Sequence, residues 1–312
     1  MTQHIIVGEG MVEMSKRGEN LFHQTFAGDT YNTAVYLKRC NPAQSISYWT
    51  AVGQDNMSQQ FVKRLSDEGI DTSLVFTAKD KTLGLYMINT DHMGERSFAY
   101  WRSDSAAKHC VSLFIDKKQA NSLGQIESLF FSGISLAILS ADDKTSFLAL
   151  VSQLKITGTT IIFDPNYRPQ LWACVEEARE WTDKAYQVAD IAFPGCDDHR
   201  TLYGHENLEA IKEHVEHQGV SEIIIKNGEY GIQIFSQAQY SSVPAHRVDL
   251  VVDTTAAGDA FNGGYLAARF AGKTAQDSAA YGAKVAAFVI GYKGAIVDKP
   301  CMEQFLQENP LL

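Results

Sequence analysis

The sequence predicts an α/β fold, with a mainly parallel central sheet and helices on both of its faces. Two observations carry this. From Leu129 onward, short apolar runs of strand length alternate with amphipathic stretches of helical length, the order that builds a parallel sheet through helical crossovers. The chain also has 312 residues with 45% hydrophobic content, enough to bury a sizeable core. No internal repeat, low-complexity linker or break in composition marks a second unit, so a single domain over 1–312 is expected.

Taken in order, Ile5-Ile6-Val7 is an apolar strand that ends at Gly8-Glu9-Gly10. A third glycine is missing and Met11-Val12-Glu13 opens no convincing helix, so this is not a dinucleotide fingerprint. Ala27-Gly28-Asp29-Thr30-Tyr31-Asn32 reads as a turn and cap leading into a helix, with Asn32 on its first turn, where a polar Asn ordinarily caps or is solvated. Residues 45–53 form a strand, and 55–69 an amphipathic helix with Phe61, Val62 and Leu65 inward. Segments 83–88 and 97–102 are short strands joined by the turn-rich 89–95, which suggests a hairpin. Alternation sends Phe98, Tyr100 and Arg102 to one side and Ala99 and Trp101 to the other. A face that carries Tyr and Arg together is not an ordinary core face. Then follow strand 129–133, helix 141–154, strand 160–164, helix 176–188, strand 190–193, helix 207–218 and strand 222–226. Asn227-Gly228, with Gly231 ahead of Ile232, is a hairpin signal.

The stretch Asp253-Thr254-Thr255-Ala256-Ala257-Gly258-Asp259 follows Leu250-Val251-Val252 and precedes Phe261, Tyr265, Leu266 and Ala268 at helical spacing. It stands where a loop turns into a helix. Small side chains let the backbone approach a ligand, and the first helical N–H groups lack an internal partner. Together with the helix dipole they make an anion site. Asp259 stands directly on it. A carboxylate repels an anion, and one chemistry needs both: a base that takes a proton from a hydroxyl while the amides hold the phosphoryl group under attack. A small-residue helix start with Asp as cap is the plainer reading of the same residues. Asp164-Pro165-Asn166-Tyr167-Arg168 lies just past a strand end, where open α/β sheets place ligands. Arg168, Arg102 and Arg96 offer planar donor forks that suit a carboxylate or phosphate.

Asp253 to Asp259 resembles the carboxy-terminal signature of the ribokinase-like (PfkB) sugar kinases, with Ala256 where most members have glycine. Gly28-Asp29-Thr30-Tyr31-Asn32, Gly94-Glu95-Arg96-Ser97-Phe98-Ala99-Tyr100-Trp101-Arg102 and Asp164-Pro165-Asn166-Tyr167-Arg168-Pro169 are similar to the branch of that family acting on a sugar acid, 2-keto-3-deoxygluconate. The resemblance implies a ribokinase-like fold with a small β-lid built from early segments that include about 82–102. It implies transfer of phosphate from ATP, with Mg²⁺, to the acceptor's terminal hydroxyl, and leaves room for a monovalent cation. Gly28, Asp29 and Asn32 would then hold acceptor hydroxyls, and Tyr86, Tyr100 and Arg102 would close over the acceptor from the lid. Arg168 would reach its carboxylate or keto end while lying near the transferred phosphate. Asp259 is the implied base, and Ala256, Ala257 and Gly258 the implied anion hole. Asn166, Lys226, Gly228 and Gly231 would border the nucleotide. Pro194-Gly195-Cys196-Asp197-Asp198 departs from the family's Pro-Asn-x-x-Glu, which is associated with magnesium. The Asn is missing and Asp replaces Glu, so Asp198 is expected to act on Mg²⁺ through water, and Asp197 to be an acidic helix start.

Net charge is −10, from 37 acidic and 27 basic side chains, which disfavours binding to nucleic acid or to an anionic membrane. A few local arginines must therefore hold an anionic substrate. The five cysteines are scattered and odd in number, without Cys-x-x-Cys, as expected of reduced thiols in a cytoplasmic protein. No basic-then-apolar leader opens the sequence, and no apolar run is long enough to span a bilayer. A homodimer through the lid hairpin is expected, because a two-strand piece alone is marginal. A kinase of a neutral sugar such as fructose is the alternative within enzymes, and the arginines discriminate. A catalytically silent sugar sensor is the alternative from another class, and the intact Asp259 speaks against it. The galactonate epimer of the acceptor stays open.

Overall fold

The computed structural model describes residues 3–311 apart from 17, 19, 91–95 and 117–124. The first half contains β1 (Gln3–Val7), β2 (Met11–Lys16), β3 (Phe22–Ala27), α1 (Asp29–Cys40), β4 (Ser45–Val52), α2 (Asn56–Asp67), β5 (Val75–Thr77), β6 (Gly84–Thr90), β7 (Arg96–Trp101), α3 (Cys110–Asp116), β8 (Ile126–Ser132), α4 (Gly133–Ala137) and α5 (Ala141–Ile156). The second contains β9 (Thr160–Asp164), α6 (Val175–Val188), β10 (Ile191–Ala192), α7 (Cys196–Tyr203), α8 (Leu208–His217), β11 (Glu222–Lys226), β12 (Ile232–Ser236), β13 (Gln239–Val243), α9 (Ala257–Phe270), α10 (Ala275–Val289) and α11 (Lys299–Glu308).

Nine strands make one sheet in the order β13-β12-β11-β10-β9-β8-β1-β4-β5. Strands β5 to β11 along that order run parallel, and the β12-β13 edge is antiparallel. Successive residues of the central strands enter opposite cores, as the pleat requires. Ile6, Tyr48, Ile162 and Ile224 pack on one face with residues of α1, α9 and α10. Ile5, Trp49, Ile161 and Ile223 pack on the other with residues of α3, α5, α6 and α8. Strands buried on both sides read as unbroken apolar runs, which is why the α/β rhythm is visible in the sequence.

A second sheet of four strands, β3-β2-β6-β7, stands apart from the first. The anticipated hairpin is present: β6 and β7 pair antiparallel, with Tyr86 opposite Tyr100 and Ile88 opposite Phe98. Its connector, 91–95, and the side chain of Arg96 lie outside the described residues. Strands β2 and β3 complete this sheet, and β2 is the segment that opens no helix. Arg102 lies one residue beyond β7 rather than within it. Strand 190–193 shrinks to Ile191–Ala192.

Several helices begin on a side-chain cap, which satisfies one of the free first-turn amides. Asp55 accepts from Ser58 N–H at 3.0 Å, Ser140 from Asp143 N–H at 3.1 Å, and Asn207 from Ala210 N–H at 2.9 Å. The starts of α1, α7, α9 and α11 lack such a cap. At α1 the capping position is Gly28, and Asp29, expected near the cap, is the first helical residue with its carboxylate free for other work.

Candidate active site

The uncapped starts of α1 and α9 meet above the carboxyl ends of the parallel strands. They meet because Gly263 of α9 lies against α1. A Cβ there would stand 2.6 Å from Tyr36 Cβ and 2.9 Å from the Leu37 nitrogen, so any larger residue would push the helices apart. One turn earlier, Asn32 Nδ2 donates to Asp259 Oδ2 at 2.8 Å. Asn32, expected to hold acceptor hydroxyls, thus bonds the expected base directly.

A second group forms at the end of β9. Buried Asp164 accepts from Lys226 Nζ at 2.8 Å and from Asn262 Nδ2 at 2.6 Å. Its other oxygen accepts from the Asn166 backbone N–H at 3.2 Å. That turn holds Asn166 at φ 35°, a left-handed conformation that Asn tolerates better than most residues. Asn166 Nδ2 then donates to Asp29 Oδ2 at 2.9 Å. Its amide is therefore turned to the start of α1. The two groups, Lys226, Asn262, Asp164, Asn166 and Asp29 on one side and Asn32 and Asp259 on the other, lie close enough for the charges of Asp29, Asp164 and Lys226 to act on Asp259.

The electrostatics follow from that crowding. Burial, and then the charge of Asp29, push the Asp259 carboxyl well above the usual carboxylate range, against the Asn32 bond and Lys226. Asp198, in the first turn of α7, is pushed up to about 6 by burial and by Asp164, with Lys226 and Arg168 opposing. Asp197 beside it is surface-exposed and pairs with Arg200 at 2.7 Å, as an acidic helix start would. Arg168 is half exposed, donates to Tyr167 O at 2.9 Å and stands 3.9 Å from Asp198.

The loop expected to form the anion site is braced by Asp253. Its Oδ1 accepts from Thr255 N–H at 3.0 Å and from Thr255 Oγ1 at 2.6 Å, and its Oδ2 accepts from Gly294 N–H at 2.8 Å. Ala256 is the capping position, buried among Met11, Ala27, Tyr86, Ile88 and Ala295. Of the expected amides, that of Ala257 already donates to Thr254 O at 3.2 Å. Those of Gly258 and Asp259 find no acceptor among the described residues, as helix geometry predicts for a bare first turn. A Cβ on Gly258 would lie 3.9 Å from Lys226 Nζ, so the free amides and a cation flank the same space.

The small sheet contributes the rest. Tyr86 is buried and its ring lies 5.8 Å from that of Tyr100, which is exposed. The Tyr86 hydroxyl donates to Glu13. Arg102 pairs with Glu9, which is buried, while Arg102 itself is partly buried. Gly28 faces the Glu9 carbonyl, 2.2 Å from where a Cβ would stand. Gly228 and Gly231 lie in the tight connection from β11 to β12, where Asn227 N–H donates to Gly231 O at 3.0 Å.

Four contributors escaped the sequence: Asn262, Glu9, Glu13 and the bracing role of Asp164. Asn262 left a signal, as a polar residue in the apolar run Ala260-Phe261-Asn262. The glutamates left none, since each reads as an ordinary turn or surface acid. Chemically, the arrangement offers a poorly solvated carboxylate beside free helix-start amides and a lysine. That combination can take a proton from a hydroxyl next to a bound anion.

The profile of the pfkB family carbohydrate kinases matches residues 4–301. The chain is 38% identical over 302 residues to the 2-dehydro-3-deoxygluconokinase of Escherichia coli (strain K12), covering 95% of this chain and 97% of that one. It is 36% identical over 313 residues to the 2-dehydro-3-deoxygluconokinase of Haemophilus influenzae, covering 99% of each. Among solved structures, the PfkB protein from Polaromonas sp. JS666 superposes with a TM-score of 0.84 at 24% identity, over 97% of this chain and 100% of that one. The aminoimidazole riboside kinase from Salmonella enterica does so with 0.82 at 21%, over 98% and 99%. These two superpositions establish the ribokinase-like fold.

Proposed function

The chain belongs to the pfkB family of carbohydrate kinases and is a phosphotransferase, and from that premise we propose that it transfers the γ-phosphoryl group of ATP to 2-keto-3-deoxygluconate. The products are 2-keto-3-deoxy-6-phosphogluconate and ADP. The observation that carries the proposal is Asp259, poorly solvated, bonded to Asn32 and seated on the uncapped start of α9. The name shared by the bacterial relatives supports the acceptor, as do Arg102 and Arg168 near the site.

Asp259 takes the proton of the acceptor's terminal hydroxyl as that oxygen attacks phosphorus. Its raised pKa makes it a stronger base than an ordinary carboxylate once ionised. The amides of Gly258 and Asp259 receive the transferred group, with Lys226 beside them. Arg168, half exposed, is free to swing onto developing charge at phosphorus or onto the acceptor. Gly28, Asp29 and Asn32 line the acceptor, Tyr86 and Tyr100 close over it from the small sheet as a lid, and Gly228 and Gly231 border the nucleotide. Asp198, a partly exposed carboxylate 3.9 Å from Arg168, would act on a hard cation through water, as its helix-start position beside the strand ends allows. Mg²⁺ characteristically takes one or two carboxylates and completes its shell with phosphate and water. When bound it would offset the charge of the phosphates.

A neutral acceptor is the second reading, because Arg102 already has one partner in Glu9. Turnover with ATP and Mg²⁺ on 2-keto-3-deoxygluconate, its galactonate epimer, fructose and ribose separates the readings. The sugar acids are expected to be strongly preferred, and Arg102→Ala to raise the KM of the acid about tenfold while sparing fructose. Preference for fructose would discard the acid reading and leave Asp259 in place. The exposed Phe98, Tyr100 and Trp101 support a homodimer through the lid, testable by light scattering. The five unpaired cysteines support a reducing, cytoplasmic setting.

A further inference from the structure

We propose that Glu9 is a positioning residue for acceptor selection, holding the Arg102 guanidinium where the carboxylate of the acceptor meets it. The inference rests on the acid reading of the acceptor. Glu9 stands in the turn between β1 and β2, and Arg102 just past the end of β7, so the pair ties the body of the protein to the small sheet. The Glu9 side chain is 1% exposed and that of Arg102 10%. Room for the pair comes from Gly84 at the start of β6. A Cβ there would stand 2.7 Å from Glu9 Oε1 and 3.2 Å from Arg102 Cβ.

A buried ion pair is a weak source of stability, because desolvating both charges offsets their attraction. This one is also incomplete. Arg102 bonds Glu9 through Nη2 and Oε2, while Arg102 Nε and Glu9 Oε1 are buried without a hydrogen-bond partner among the described residues. The structural pair of the same protein differs in kind. Arg39 gives Nε and Nη2 to the two oxygens of Glu68, at 2.8 and 2.7 Å, and Nη1 to Val297 O at 2.6 Å. Arg39 has spent its fork, whereas Arg102 is held by one corner with donor capacity left over. A neutral acceptor leaves that capacity unused at a cost, and a carboxylate uses it. Tyr86 repeats the pattern, held by buried Glu13 of β2.

The test is steady-state kinetics of Glu9→Ala and Glu9→Gln on 2-keto-3-deoxygluconate and on fructose. Glu9→Ala should raise the KM of the acid about tenfold, with kcat, the KM of ATP and turnover of fructose within about twofold of wild type. Glu9→Gln, whose amide oxygen still accepts from Nη2, should restore the KM. Should Glu9→Ala fail to fold, Glu9→Asp, one methylene too short to reach Arg102, carries the same readout. Wild type that prefers fructose overturns the acid reading and this proposal together. Wild type that prefers the acid, with that preference intact in Glu9→Ala or Glu9→Asp, overturns the proposal alone. Equal loss on both acceptors overturns it as well, because it marks a merely structural residue.

Discussion

Helix α9 touches a carboxylate at each end, buried Glu222 and half-buried Asp259, and the two behave in opposite ways. On its later turns, Glu222 of β11 accepts from Tyr265 Oη at 2.6 Å, from Arg269 Nε at 3.1 Å and Nη2 at 2.8 Å, and from Ser236 Oγ at 3.0 Å. At its first turn, Asp259 accepts from Asn32 alone among the side chains described, with Asp29 and Asp164 close enough to repel it. Burial pushes both carboxyls up. At Glu222 the hydrogen bonds and charge of Arg269 and Tyr265 outweigh it, and the carboxyl is held below its ordinary range. At Asp259 nothing outweighs it, and the carboxyl is held well above. A carboxylate whose oxygens are all used belongs to the framework. One left short of partners in a crowded, dry place is available for chemistry.

Asp259→Asn breaks the contrast at its sharper end. Turnover should fall at least ~10²-fold, as loss of a general base usually does, with a modest change in acceptor KM. Thermal stability should not fall and should rise slightly, because a carboxyl raised in the folded state opposes folding once it ionises. Near-normal turnover would remove Asp259 from the mechanism, and a large loss of stability would show that it belongs with Glu222.

Asn32→Ala sharpens the same end with a smaller effect. The Asn32 bond favours the ionised form of Asp259, so without it the carboxyl rises further. The acid limb of the kcat/KM profile should move to higher pH. Turnover at pH 7 should fall about tenfold and recover toward wild type as pH rises. A uniform loss at every pH would leave Asn32 its place against the acceptor and no part in tuning the base.

The two ends of α9 also differ in how far the sequence announces them. The start near Ala256-Ala257-Gly258-Asp259 is legible, because small residues give way abruptly to an apolar pattern of helical period. The parallel strands are legible too, since Ile223-Ile224-Ile225 has a buried neighbour on either face. The bond between Asn32 and Asp259 is not, for it joins residues 227 apart and depends on α9 crossing α1 at Gly263. Strands β2 and β3 are hidden for a different reason. Met11-Val12-Glu13-Met14-Ser15-Lys16 grades from buried to exposed along its length and Phe22-His23-Gln24-Thr25-Phe26-Ala27 from exposed to buried, so neither shows the clean alternation of a half-buried strand. Glu9, between two glycines, reads as a turn until the fold brings Arg102 over it.

Glu222→Gln tests the quieter end. Turnover should stay within about twofold of wild type, since Glu222 lies at the far end of α9 from Asp259. Stability should fall by about 2 kcal/mol, less than for a fully buried pair because Arg269 is 29% exposed. The pH dependence fixes the sign. Glu222 is depressed in the folded state, so its contribution is fully present above the unfolded carboxylate pKa of about 4.3, and it is lost as pH falls through the lower folded value. Urea unfolding should therefore separate wild type from Glu222→Gln at pH 7 and bring them together in strong acid. For Asp259→Asn the difference runs the other way: the variant is the more stable above the raised pKa of Asp259, and its advantage disappears as that carboxyl protonates. If both variants lost stability in parallel across pH, the two carboxylates would be doing the same work, and the distinction between the ends of α9 would fall.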